Sequence, residues 1–319
     1  MKKKYLLSII AIYFLPFAGF TQTSEQVVDQ VAAISSQSGF SSNITYLKVG
    51  DQELKLDVIV PRLSLGEPPW WRIDNQPKPT LLYIHGGGWV EGEKETRMLG
   101  LLPFVSKGWV VVNINYRLAQ EVQSPMDMVA DCRHALNWIY DNTTRFQMDT
   151  TQIVVAGESA GGHLALMTGL LNKSSIHNNG KEINRDLNVA AIINWYGVTD
   201  LNARKEPSIK DRFKHINWVA ELTDYDSLNT IFSPVTYVNT HSAPVMTIHG
   251  DADPLVPYQQ AEILTKVLNE NGVKNKLITI PGKKHGNFSA EERTYIFEQI
   301  WDFLKTNGIG FDAQKKSMN

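Results

Sequence analysis

Residues 152–171 read "QIVVAGESAGGHLALMTGLL". "QIVVAG" (152–157) is a short β-branched run ending in glycine, the pattern of a buried strand. "AGGHLALMTGLL" (160–171) is apolar and long enough for a buried helix. Between them, "GESAGG" (157–162) fits G-x-S-x-G, in which a serine hydroxyl projects from a sharp strand-to-helix turn. Gly157 and Gly161 suit that turn because a Cβ at either position would crowd the neighbouring backbone. A small-residue turn that merely opens a helix is the plainer alternative. The flanking strand and helix favour Ser159 as a nucleophile.

Outward from this point the chain alternates. Buried-type strands are expected at 80–85, 109–116, 152–157, 189–196, 244–250 and 276–281. Helical patterns fall at about 95–107, 125–141, 160–171, 257–271 and 290–306. Such alternation predicts an α/β fold, a mostly parallel sheet with helices on both faces. Ahead of it, "ITYLKV" (44–49) and "LKLDVIV" (54–60) read as a hairpin around Gly50 and Asp51. In the second strand Leu54, Leu56, Val58 and Val60 alternate with Lys55, Asp57 and Ile59, as in a half-exposed strand. One α/β domain over 44–306 is expected, with a small insert at 200–243 and a tail at 307–319. No internal repeat is visible.

Composition excludes several functions. The chain has 319 residues, 43% of them hydrophobic and 20% charged, as in an ordinary globular enzyme. A net charge of −2 gives no basic field for nucleic acid. Cys132 is the single cysteine, no H-E-x-x-H occurs, and "HGGGW" (85–89) is not a dinucleotide fingerprint, so no metal and no cofactor beyond water is expected. Met128, Val129, Cys132, Leu136 and Ile139 share a helical face, which makes Cys132 a core residue. The N-terminus has three lysines, an apolar run from Tyr5 to about Phe17, then small residues. It reads as a signal peptide over 1–21, followed by a linker and short helix over 22–43. Export to the periplasm or medium is expected, with no stable membrane span after cleavage. Four N-x-[ST] sequons, at Asn43, Asn142, Asn172 and Asn287, read as chance.

A serine nucleophile needs a base, and the base needs an orienting carboxylate. Ligands of parallel sheets bind at the carboxyl ends of the strands. His285, in "PGKKHGNF", follows one strand end, and Asp253, in "HGDADPLVP" (249–257), follows another. Asp251 and Asp200 compete for the acid role, but both suit turn-forming side chains better. The oxyanion of an acyl-transfer intermediate needs preformed donors. The backbone N–H groups of Gly87 and Gly88, after the strand "TLLYI", can supply them, as can Ala160 at the helix start. Trp89 and Trp218 are expected in the substrate pocket, the latter with Phe213, His215, Tyr225, Phe232 and Tyr237 of the insert. Packing of the insert onto the sheet is the alternative for these aromatics. Trp70 and Trp71, in a Pro-rich loop, suit sugar stacking or a hydrophobic pin equally. His85 and His249 read as loop-bracing donors, His163 as packed inward, and Glu158 as a hydrogen-bonding neighbour of Ser159.

"HGGGW" (85–89), "NYRL" (115–118), "GESAGG", "HGDADPLVP" and "HGNF" (285–288) together resemble the α/β-hydrolase superfamily. They are most similar to its hormone-sensitive-lipase-like and feruloyl- or acetyl-xylan-esterase-like carboxylesterases. The resemblance covers about 40–306 and implies an eight-stranded sheet whose second strand is antiparallel. It implies Ser159 as nucleophile, His285 as base, Asp253 as acid, and Gly87, Gly88 and Ala160 at the oxyanion positions. One departure is the short segment before Ile44, where lipase-like members often carry a helical cap. The expected function is a secreted serine carboxylesterase acting on small or carbohydrate-linked esters with short or aromatic acyl groups. A serine exopeptidase or amidase, and a non-catalytic binding protein of the same fold, are the alternatives.

Overall fold

The computed structural model describes residues 38–61, 76–171, 183–203 and 225–310. Eight strands form one sheet: β1 (Ser38–Val49), β2 (Gln52–Pro61), β3 (Lys78–Ile84), β4 (Val110–Ile114), β5 (Met148–Glu158), β6 (Ala191–Trp195), β7 (Val245–Gly250) and β8 (Asn275–Ile280). Their spatial order is β1-β2-β4-β3-β5-β6-β7-β8. β2 runs antiparallel to both neighbours, and every pairing from β4 through β3 to β8 is parallel.

Helices cover both faces. α1 (Leu102–Ser106) and α7 (Ala290–Thr306) lie on one side; α2 (Pro125–Asp141), α4 (Ala160–Leu170) and α6 (Gln259–Glu270) lie on the other. The period-two geometry of the central strands divides the core. Leu82, Ile84, Ile153 and Val155 pack towards α2 and α4. Leu81, Tyr83, Val154 and Ala156 pack towards α1 and α7. Burial on both faces explains why these strands read as unbroken apolar runs. Two shorter helices, α3 (Thr143–Phe146) and α5 (Tyr225–Ile231), complete the set. No described helix is long and apolar enough to cross a membrane. Residues 1–37, Trp70, Trp71, Phe213, His215, Trp218 and the tail beyond 310 lie outside the described residues, and so does the Tyr225 side chain.

Three details differ from the sequence reading. β1 begins at Ser38, inside the segment expected to be linker and helix. Its pairing with β2 shifts register between Ser41 and Ile44, where Asn43 turns left-handed (φ 55°) and its N–H donates to Asp57 Oδ1 at 2.8 Å. Such a bulge breaks the alternation by which a strand is recognised. The helix expected over 95–107 is a 3₁₀ stretch (Lys94–Leu101) running into α1, with Pro103 in the first turn of α1. Finally, β2 is not half-exposed: Asp57 is 1% and Ile59 4% accessible. Ile59 packs with Phe104 and Val105 of α1.

The 3₁₀ stretch also delivers Lys94, whose Nζ stands 3.0 Å from Asp57 Oδ2 with both side chains buried. A buried carboxylate stripped of its cation loses more than the pair contributes. Lys94→Ala is therefore expected to lower unfolding stability by about 3–5 kcal/mol, as read by urea denaturation. Adding Asp57→Leu to that variant should recover part of the loss.

Candidate active site

β5 runs directly into Ser159, whose backbone is forced to φ 54°, ψ −120° before α4 begins. A non-glycine residue there is strained, by about 1–3 kcal/mol. The strain persists because the turn is wedged against β3. A Cβ on Gly157 would stand 2.2 Å from Gly161 O, and one on Gly161 would stand 2.1 Å from Ile84 O. Only hydrogen at these positions lets the elbow close.

His285, between β8 and α7, places Nε2 2.8 Å from Ser159 Oγ. Its Nδ1 lies 2.6 Å from Asp253 Oδ2, in the loop after β7. A carboxylate accepts, so Nδ1 carries the proton and Nε2 presents a lone pair to the serine hydroxyl. The His285 loop is pinned by the capping box of α7, in which Ser289 Oγ accepts from Glu292 N–H and Glu292 Oε2 accepts from Ser289 N–H. Arg293 donates to the carbonyls of Gly286 and Phe288 from the same helix.

Asp253 is held by four donors. Oδ1 accepts the N–H groups of Leu255 (2.8 Å) and Val256 (3.0 Å). Oδ2 faces His285 and, at 3.4 Å, His249 Nε2. Burial alone would raise this carboxyl, but the hydrogen bonds from His249, His285, Val256 and Leu255 outweigh it and hold it far below the ordinary carboxylate range. The rivals have turn roles. Asp251 accepts from Gly282 N–H, and Asp200 accepts from Asn202 N–H.

The glycine loop after β3 folds over the nucleophile. A Cβ on Gly86 would lie 3.5 Å from Ser159 Cβ. Gly87 and Gly88 follow with φ 117° and 59°, and Gly87 O accepts from Val90 and Glu91 N–H. Ala160 opens α4. His85 braces this loop, its Nδ1 donating to Gly86 O at 2.7 Å while its ring stacks on Tyr116. Burial keeps its pKa low, so it stays neutral. His249 similarly donates to Val256 O, and His163 is fully buried with Nε2 donating to Phe232 O.

Trp89 corrects an expectation. It is 1% accessible and its ring packs against His163 and Phe232, which makes it a packing residue among the described residues. Phe232 is likewise buried, and Tyr237 donates its hydroxyl to Ile231 O. These two insert aromatics are packing residues.

The sequence points to Glu158 as a hydrogen-bonding residue beside Ser159, but not to its two partners. Glu158 accepts from Arg97 Nε at 2.6 Å and from the Tyr196 hydroxyl at 2.8 Å. Burial works against the Arg97 charge, but the Glu158 carboxylate prevails and raises its pKa. Burial, then Glu158, push the Tyr196 phenol well up, so it remains a donor. The Tyr196 ring stands edge-on to His285, with centroids 4.7 Å apart. Tyr196 thus spans from the residue before the nucleophile to the imidazole. Its place at the carboxyl end of β6 was the available signal. Tyr196→Phe removes one hydrogen bond to a charged group, worth about 1.5 kcal/mol or roughly tenfold. It is expected to lower kcat by about that factor at unchanged KM for a 4-nitrophenyl ester, the split that separates positioning from substrate binding.

The sheet order, with β2 antiparallel and the site at the carboxyl ends of the parallel strands, is that of the α/β-hydrolase fold. Within that class the chain belongs to the BD-FAE family, whose model matches residues 72–268. It is 30% identical to esterase LipQ of Mycobacterium tuberculosis over 74% of this chain and 58% of LipQ. The chain thus spans less than three fifths of the length of that relative. Its fold is similar to that of Est2, a thermophilic esterase from the Planctomycetes species Thermogutta terrifontis. The TM-score is 0.70 at 22% identity, over 85% of this chain and 94% of that one. A truncated carbohydrate esterase from gut microbiota gives a TM-score of 0.68 at 22% identity, over 84% and 96%. At such identities the two solved structures speak for the fold alone.

Proposed function

We propose that this protein is an exported serine carboxylesterase that removes short or aromatic acyl groups, such as acetyl or feruloyl, from carbohydrate-linked or small esters. The observation that carries the chemistry is the unbroken hydrogen-bonded series Ser159–His285–Asp253. His285 Nε2 takes the hydroxyl proton as Ser159 Oγ bonds to the ester carbonyl carbon. The carbonyl oxygen becomes an oxyanion, received by backbone N–H groups of Gly87, Gly88 and Ala160. As the C–O bond to the alcohol breaks, His285 returns the proton to the leaving oxygen, and Ser159 keeps the acyl group. Water then repeats the sequence: His285 takes its proton, the acid is released, and Ser159 recovers its hydrogen. Asp253 holds the imidazole in one tautomer and balances its charge in both halves.

The ester reading is supported by the 30% identity to esterase LipQ. Export is supported by the lysine-led apolar N-terminus. The test is a series of 4-nitrophenyl esters from acetate to octanoate, followed by acetylated and feruloylated xylan. We expect kcat/KM to be highest for acetate, with acid released from at least one xylan. A protein inert on the whole series has no esterase function.

A further inference from the structure

A cavity of about 540 Å³ lies at the other end of the sheet from Ser159. It is walled by the last turn of α4, by residues 186–189 leading into β6, by residues 239–243 before β7, and by Arg133 of α2. α4 separates it from the nucleophile by eleven residues, about 16 Å of helix. Arg133 is 1% accessible. Its Nη1 donates to Thr168 O and Leu171 O, both at 2.8 Å, closing the carbonyl end of α4. That leaves the opposite edge of the guanidinium. Nε is buried and has no acceptor. Among the described residues no carboxylate pairs with this cation: burial pulls its pKa down to about 10 and no anion raises it.

Capping α4 does not account for this arrangement, because Nη1 alone does the capping. A buried cation with an unfilled donor edge is unfavourable, and an anion beside it removes the penalty. The Nε–Nη2 edge of a guanidinium is the fork that matches two oxygens of a carboxylate or phosphate. We infer that the cavity is a binding site for a small oxyanion, with Arg133 receiving the carboxylate or phosphate group of a solute. Asp186, exposed where it lines the cavity, opposes that charge and limits the affinity. The site is remote from Ser159, so its occupant does not compete with an ester.

The test is calorimetric titration of inorganic phosphate, and separately of acetate, into the whole chain at an ionic strength fixed with chloride. We expect saturable binding of one anion per chain, with Kd on the order of 1 mM. Tighter phosphate would point to a phosphorylated ligand, and tighter acetate to a carboxylic acid. Arg133→Gln should weaken binding at least tenfold. Because Arg133 also caps α4, that variant can fail to fold. Asp186→Asn leaves Arg133 in place and should tighten phosphate about threefold at low salt. KM for 4-nitrophenyl acetate should not change at saturating phosphate. Three results would overturn the inference: no saturable binding of either anion, a phosphate affinity indifferent to Asp186→Asn, or a KM that rises in step with phosphate occupancy. None of the binding readouts depends on the chain being an esterase.

Discussion

Ser159→Ala is expected to remove ester turnover almost entirely, lowering kcat by about 10⁴-fold or more. The size follows from what the hydroxyl does. In the proposed mechanism it is the only atom that bonds to the substrate, and the other members of the hydrogen-bonded series act through it. What survives is the glycine loop, which can still receive an oxyanion formed by direct attack of water. Stability should hardly move. The strain at φ 54° belongs to the backbone and stays with alanine. Gly157 and Gly161 still fit against β3, and the one hydrogen bond lost is to half-buried His285. The check pairs steady-state hydrolysis of 4-nitrophenyl acetate with a pre-steady-state trace. Wild type should release a burst of 4-nitrophenolate equal to the enzyme concentration wherever deacylation limits turnover, and the variant none. A folded Ser159→Ala protein that turns over ester at the wild-type rate would falsify the nucleophile assignment.

The parts of this site legible in the sequence are those set by local sterics. Gly157 and Gly161 are glycines because backbone oxygens stand about 2 Å from where a Cβ would be, whatever the rest of the chain does. Ser159, Asp253 and His285 could be placed because each follows a strand of a parallel sheet, and strand ends share one rim. Legibility fails where a role depends on a contact made across the fold. Arg97 and Tyr196 meet on Glu158 from separate elements, and neither carries a local pattern that announces the meeting. The burial of β2 is decided by Lys94 and α1 arriving from a later segment. Trp89 has a left-handed backbone (φ 65°), which residue type does not forecast for a tryptophan, and its ring packs inward. The bulge at Asn43 hid the start of β1 for a related reason, since one extra residue shifts the inside-outside alternation.

Asp253→Asn is expected to lower kcat by roughly 10⁴-fold while leaving the chain folded. The asparagine oxygen can keep the Leu255 and Val256 N–H groups that Oδ1 accepts now. The amide nitrogen then falls where Oδ2 stood, facing His285 Nδ1 and His249 Nε2. An amide nitrogen only donates. His249 can give its proton wholly to Val256 O, but His285 must turn its Nδ1 lone pair to the amide. Its proton then sits on Nε2 and points at Ser159 Oγ, so the imidazole can no longer accept the hydroxyl hydrogen. The geometry survives and the tautomer is wrong, which separates this variant from one that disturbs packing. Stability gives an independent readout. The folded-state pKa of Asp253 is depressed, so the ionised carboxylate stabilises the fold above the unfolded value of about 3.9, and that contribution is lost as pH falls through the folded value. The stability advantage of wild type over Asp253→Asn should therefore be full at neutral pH and shrink as pH falls below about 4. Unfolding measured at pH 7 and again at pH 3 reads the difference. If kcat falls by 10⁴ but the advantage is the same at both pH values, the carboxylate is not held by the four donors around it, and its hold on His285 must be argued from elsewhere.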